Sequence, residues 1–183
     1  MTLPNMKNLL QRLESGEVLD VFLELHEQGL DVNTATNKFG QTLLAYTLNL
    51  GDVDITKTLL DAGADSDAPS KSGKIPLMHA TRNIALTELL LSYGANPNKK
   101  CKQGNIAVRL AILRNHLDVA LLLIPLVEDI DARYGPQGHT LLHDSVLLGH
   151  QSIVDALLDH GASADITDNR GRRALDYTTT KIA

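Results

Sequence analysis

One periodicity constrains this chain more than any other feature. Glycines at Gly40, Gly73, Gly104, Gly138 and Gly171 are separated by 33, 31, 34 and 33 residues, and each heads the same apolar-rich helix opening. The openings read Gly40-Gln-Thr-Leu-Leu-Ala45, Gly73-Lys-Ile-Pro-Leu-Met78, Gly104-Asn-Ile-Ala-Val-Arg109, Gly138-His-Thr-Leu-Leu-His143 and Gly171-Arg-Arg-Ala-Leu-Asp176. A second marker closes each unit about two helices later: Gly29-Leu-Asp-Val-Asn33, Gly63-Ala-Asp-Ser-Asp67, Gly94-Ala-Asn-Pro-Asn98, Val127-Glu-Asp-Ile-Asp131 and Gly161-Ala-Ser-Ala-Asp165. The two markers drift together, so the period does not arise from glycine content alone. A repeat of this length signals an array in which each unit packs on its neighbours, not a single thick core.

The unit from Gly40 to Asp67 shows the construction. Thr42 stands where a helix begins, and its hydroxyl is suited to accept from an orphan backbone N–H. The first helix ends near Gly51, and Ile55, Leu59 and Leu60 then recur at helical spacing as the apolar stripe of a second helix. Gly63 follows the last turn, where a left-handed residue is wanted and glycine is free of strain. Neither helix can bury its apolar side alone, so adjacent units supply the other wall.

These openings and closings resemble the ankyrin repeat family, whose unit is a β-turn plus two helices with a Thr-Pro-Leu-His-like opening. The best copy runs over 138–165, with Thr140, Leu141, Leu142 and His143, then Gly149-His150, Ile153-Val154, Leu157-Leu158 and Gly161-Ala162. The resemblance covers essentially the whole chain. It implies an all-α solenoid of stacked helix-turn-helix units with β-turn fingers, about five units plus a partial C-terminal cap in a single domain. The expected units are 1–33 as N-cap, 34–67, 68–98, 99–132, 133–165 and 166–183 as C-cap. The N-cap lacks the opening motif but carries two helical patterns, Leu9, Leu10, Leu13 and then Val18, Val21, Phe22, Leu25.

Departures from the pattern lie in the middle units. The unit after Gly73 is two residues short between its helices, around Arg82-Asn-Ile-Ala85, and lacks a glycine equivalent to Gly51 and Gly149. The unit after Gly104 has Arg109 where His143 stands, and Pro125 and Val127 where the closing glycine belongs. By the resemblance the opening Thr and His form a reciprocal hydrogen-bonded brace between units, and only Thr140 and His143 supply both here. The third and fourth units are therefore expected to be less regular.

Catalytic signatures are absent: no phosphate-binding loop, dinucleotide fingerprint, nucleophile elbow or His-Glu-x-x-His. His143, Asp144 and Ser145 are consecutive, but neighbouring residues on a helix point about 100° apart and do not converge as a triad. His139 and His143 are four apart, yet His139 falls in a turn, so no metal site is expected and no cofactor is implied. The single cysteine, Cys101, excludes an internal disulfide and reads as a turn residue in a reducing compartment. No window has the apolar length of a spanning helix, and the first 20 residues carry too many charges for a signal peptide. The expectation is a cytoplasmic chain, monomeric alone, and no enzyme.

Charge is distributed unevenly. Of 17 Lys and Arg residues, ten precede the first helices, namely Lys38, Lys71, Lys74, Lys99, Lys100, Lys102, Arg133, Arg170, Arg172 and Arg173, and only Asp168 opposes them there. The acids gather around the second helices and their exits, as at Asp52, Asp54, Asp61, Glu88, Asp118, Glu128, Asp155 and Asp159. By the resemblance, turns and first helices line a concave binding face, which here would offer a basic rim to an acidic protein partner. Phe39 and Tyr134 stand at finger positions as candidate exposed aromatics, and Leu50, Leu113 and Leu147 fall on the outward side of first helices. With Tyr46, Lys71, Lys74, Arg82, Lys100, Lys102, Arg114, His139, Arg170 and Arg172 they make up the candidate partner-binding set. Apolar anchors ringed by cations have the composition of an interface centre. The alternative is that the cations are ordinary turn residues and the leucines tuck under the next unit as core.

The expected function is a non-catalytic protein-binding module, in its sharper form a dedicated inhibitor or immunity-type partner. The competing class is an anion-binding module that engages nucleic acid or polyphosphate through the basic fingers. A net charge of −5 and the lack of aromatic stacking platforms in the basic turns disfavour nucleic acid.

Overall fold

The computed structural model describes residues 39–181, together with Arg12, Asp20 and residues 31–33. The expected N-cap helices and Lys38 lie outside these residues. Helices come in pairs: α1 (Leu43–Leu50) with α2 (Val53–Asp61), α3 (Pro76–Ala80) with α4 (Ile84–Ser92), α5 (Ala107–Leu113) with α6 (Leu117–Leu123), and α7 (Leu141–Leu148) with α8 (Gln151–Asp159). A 3-10 turn, Ile124–Leu126, extends α6, and a 3-10 helix, Ala174–Lys181, follows the last finger. Among the described residues there are no strands; isolated bridges pair Tyr134 with His139 and Thr167 with Arg173.

The residues divide into two compact units, 1–80 with 85–95 and 81–84 with 96–183. In the first, α1 packs against both α2 and α3, and Leu44, Leu48, Leu59, Leu77 and Leu90 are fully buried. In the second, α5 packs on α6 and α7, α7 on α8 and on the final 3-10 helix, and α6 on α8. Its core holds Ile112, Leu123, Ile124, Leu141, Ile153 and Leu157. Short helices such as these are marginal alone, so burial of these stripes against neighbours, worth about 1.5–3 kcal/mol per large aliphatic side chain, is what holds them.

The helix ends follow from local chemistry. Thr42 Oγ1 accepts from the Ala45 N–H at 3.3 Å, and Asp52 Oδ1 from the Ile55 N–H at 2.9 Å. Thr140 and His143 are reciprocally bonded, but as a capping box within one helix start; the reach to the next finger is made by His143 Nε2 to Arg172 C=O. The irregular α5 has no side-chain cap at Ile106. Beyond its end Asn115 takes a left-handed φ of 63°, the conformation that Gly51 and Gly149 adopt after α1 and α7. Asparagine is the residue that best replaces glycine there. At Gly138 the requirement is stricter, because φ is 68° and a Cβ would lie 2.5 Å from Asn169 Oδ1.

Neighbouring repeats are tied at two levels. One backbone bond stitches successive fingers, from Lys71 N–H to Phe39 C=O at 3.0 Å and from Asn169 N–H to Gln137 C=O at 2.9 Å. At three of the closing markers the last residue reaches forward to the next one. Asn33 donates to Gly63 C=O at 3.2 Å and accepts from Asp65 N–H at 2.7 Å. Asn98 does the same with Leu126 C=O at 2.9 Å and Glu128 N–H at 3.0 Å, and Asp131 accepts from Ser163 N–H at 2.9 Å. This clip survives loss of the closing glycine at Val127 because it uses backbone groups of the next marker, whatever their side chains.

Candidate interaction surface

In the first unit the finger turn is closed by Ser70 N–H to Lys74 C=O at 2.9 Å and Gly73 N–H to Ser70 C=O at 2.8 Å. The turn leaves Lys71 exposed and Lys74 half-buried. Phe39 is 59% exposed beside it, and Leu50 is 51% exposed at the end of α1, while Tyr46 is half-buried. In the second unit the matching turn is closed by Cys101 N–H to Asn105 C=O at 2.9 Å. Cys101 is buried within it, and Lys100 and Lys102 project on either side, both exposed. Leu113 and Leu148, at the ends of the packed helices α5 and α7, are 42% and 43% exposed, and Leu147 is half-buried between exposed and core positions. Arg82, Arg114 and Arg170 are exposed, with Arg114 Nη1 3.4 Å from Thr81 Oγ1.

Tyr134 corrects one expectation: the second finger aromatic is not exposed. Only 3% of it is accessible, because its backbone bridges to His139 and the Arg109 guanidinium covers its ring at 5.2 Å. Burial first, then the nearby Asp129 carboxylate, pushes its hydroxyl pKa up to about 12.

The arginine that replaces the brace histidine is the start of a buried polar cluster that spacing did not reveal. Arg109 Nε donates to Asp144 Oδ2 at 2.7 Å, and its Nη1 donates to Asn105 Oδ1. Asp144 Oδ1 lies 3.1 Å from His139 Nδ1. His139 stacks on His143, rings 5.5 Å apart and 6° from parallel. His143 Nδ1 accepts from the Thr140 N–H at 3.3 Å, so its Nε2 carries the proton donated to Arg172 C=O at 3.0 Å. Asp168 accepts from the N–H groups of Arg170 and Arg172, at 2.8 and 3.0 Å, and from the Tyr177 hydroxyl. Of the candidate partner-binding residues, His139 and Arg172 are thus engaged inward.

The Tyr177 hydroxyl, then the Arg172 and Arg170 amides, hold the Asp168 carboxyl well below the usual carboxylate range, against the opposing effect of its burial. A depressed folded-state pKa means stability that is present above about pH 3.9, the ordinary unfolded value, and lost as pH falls through the folded one. Acid unfolding followed by circular dichroism is expected to show wild type converging on Asp168→Asn below about pH 3.9, with the gap fully open above it.

Helix pairs linked by glycine-headed finger turns, repeated with an inter-repeat brace, define the class as a helical repeat array. Among the described residues no group of three or more His, Cys, Asp or Glu is placed to hold a metal ion, and no helix is long and apolar enough to cross a membrane. The family model for ankyrin repeats in three copies matches residues 13–101 and 82–170. The chain belongs to the ankyrin repeat family. It is 28% identical over 155 residues to the ankyrin repeat protein YahD of Escherichia coli (strain K12), covering 81% of this chain and 77% of that one. A B-cell lymphoma 3 protein homolog of Mus musculus is 38% identical over 91 residues, 48% of this chain but 20% of its own length. Among solved structures, the ankyrin repeat protein EF0377 is similar with a TM-score of 0.82 at 28% identity, over 98% of this chain and 94% of that one. Ankyrin repeats are in general protein–protein interaction modules.

Proposed function

We propose that the chain binds an acidic protein surface through its fingers and the exposed ends of its first helices, without catalysis of its own. The observation that carries this reading lies in the second unit. Lys100, Lys102, Arg133 and Arg170 are exposed finger cations with no ion pair among the described residues, and they accompany the exposed Leu113 and Leu148. The other two finger arginines there are already committed, Arg172 to Asp168 at 3.6 Å and Arg173 to Asp176 at 3.1 Å. Unpaired cations together with exposed apolar side chains suit a partner that brings carboxylates and a few apolar side chains. A stoichiometric inhibitor of one acidic target is the sharper form of the same reading. The cations also suit an anion-binding module, and salt separates the two. Binding to a phosphate backbone falls steeply with salt through counterion release, whereas an interface centred on leucines weakens less.

Affinity capture from the native lysate tests it, using the full chain and Lys100→Glu/Lys102→Glu, both checked by circular dichroism. The expected result is one acidic protein at near-equal stoichiometry with wild type. Charge reversal is expected to slow its association by roughly tenfold or more at low salt. Equal capture by both proteins would exclude the basic fingers as the binding element, and recovery of nucleic acid or polyphosphate would favour the anion reading.

A further inference from the structure

The polar cluster between α7 and the finger turn at 168–172 has an unequal count of donors and acceptors that depends on one proton. A carboxylate only accepts, so His139 Nδ1, 3.1 Å from Asp144 Oδ1, must carry hydrogen. On the opposite side of the ring, His139 Nε2 lies 3.4 Å from the Tyr177 hydroxyl oxygen and 3.7 Å from Asp168 Oδ2. The single Tyr177 hydroxyl hydrogen is directed at Asp168. The Tyr177 oxygen also accepts from Arg172 Nη2, so toward His139 it presents its remaining lone pair, and Asp168 presents another. A neutral His139 places its own Nε2 lone pair against both, acceptor facing acceptor. An imidazolium places an N–H there, and every contact in the chain of bonds then pairs a donor with an acceptor.

We propose that His139 is a protonation-controlled link, which as an imidazolium ties α7 through Asp144 to the Asp168 finger turn through Tyr177, and which releases that turn when it loses its Nε2 proton.

The groups facing His139 are consistent with a cation at its position. From α7 come Asp144 and the stacked ring of His143; from the finger turn, Asp168 and Arg172; from the 3-10 helix, Tyr177. Arg109 of α5 is held on the far oxygen of Asp144, and Arg172 on Asp168, so each carboxylate already has one cation and shares its remaining capacity with His139. His143 cannot take the role, since a second proton on its Nδ1 would displace the Thr140 N–H and open the capping box. Only 13% of the His139 side chain is exposed, so solvent does little to replace the missing bond in the neutral state. The turn that His139 holds carries Arg170, one of the unpaired finger cations, but the inference concerns the free protein and needs no partner.

The test uses the full chain labelled with 15N. Long-range proton–nitrogen spectra follow the His139 ring through its titration. Amide hydrogen exchange, corrected for its intrinsic pH dependence, follows the Arg170 and Arg172 N–H groups bound to Asp168. The expected result is that protection of both amides falls on the order of tenfold as the ring loses its proton, with one shared midpoint. His139→Gln, which cannot titrate, is expected to show the lower protection throughout and no step. Unchanged wild-type protection across the ring titration, or a step that persists in His139→Gln, overturns the proposal. Should His139→Gln fail to fold, Tyr177→Phe takes its place. It removes the nearer acceptor of the Nε2 proton and leaves Asp168 Oδ2 at 3.7 Å, so the step is expected to shrink while the ring still titrates, and an unchanged step overturns the link.

Discussion

Arg109→Ala is expected to destabilise the protein by roughly 3–5 kcal/mol, the range for removing one partner of a buried ion pair. Its guanidinium and the Asp144 carboxylate are 2.7 Å apart with only 10% and 5% of their side chains exposed. Removing the arginine leaves Asp144 buried with His139 as its remaining side-chain partner, and it also strips the cover from the Tyr134 ring. The loss does not equal the net worth of the pair, because desolvating both ions opposes their attraction. A double replacement, Arg109→Met with Asp144→Leu, is therefore expected to recover much of the stability that Arg109→Ala loses. Urea denaturation of the three proteins measures both quantities. A single variant within about 0.5 kcal/mol of wild type would show that water already reaches Asp144.

The second large effect separates core from surface on one helix. Leu141→Ala, at a residue with no accessible surface, is expected to cost about 2–5 kcal/mol through lost transfer energy and the cavity left behind. Leu148→Ala, at the other end of α7 and 43% exposed, is expected to leave stability within about 0.5 kcal/mol. If Leu148 is an anchor of the proposed interface, its truncation instead costs about 2 kcal/mol or more of partner affinity. Thermal unfolding ranks the two for stability, and titration calorimetry with the captured partner reads the affinity. Equal destabilisation by both would place Leu148 in the core and remove it from the interface.

Much of the architecture was legible because its causes are local. The left-handed finger glycines, the Thr42 and Thr140 caps and the capping box with His143 all act within a few residues of one another, and the repeat of that local pattern marks the units. The candidate surface was legible only in outline. Cations in finger turns project because a tight turn leaves its side chains little to pack against, so Lys71, Lys100, Lys102 and Arg170 are exposed as charged turn residues usually are. Tyr134, also in a finger, is not, and nothing within its own turn says so.

What the sequence determined by itself was the repeat, the helix pairs and their ends, since propensity, capping and left-handed glycine positions depend on a few neighbouring residues. What the tertiary structure decided was the fate of the polar residues. Arg109 looked like a lost brace, yet it is buried against Asp144, 35 positions away; Asp168 looked like a lone acid among cations, yet it is buried and linked to Tyr177. The reason is physical. The electrostatic role of a side chain is set by how far it is removed from water and by what lies within a few ångströms. For Arg109 that neighbour comes from the adjacent repeat, about one period away along the chain, and for Asp168 from the 3-10 helix that follows its own finger.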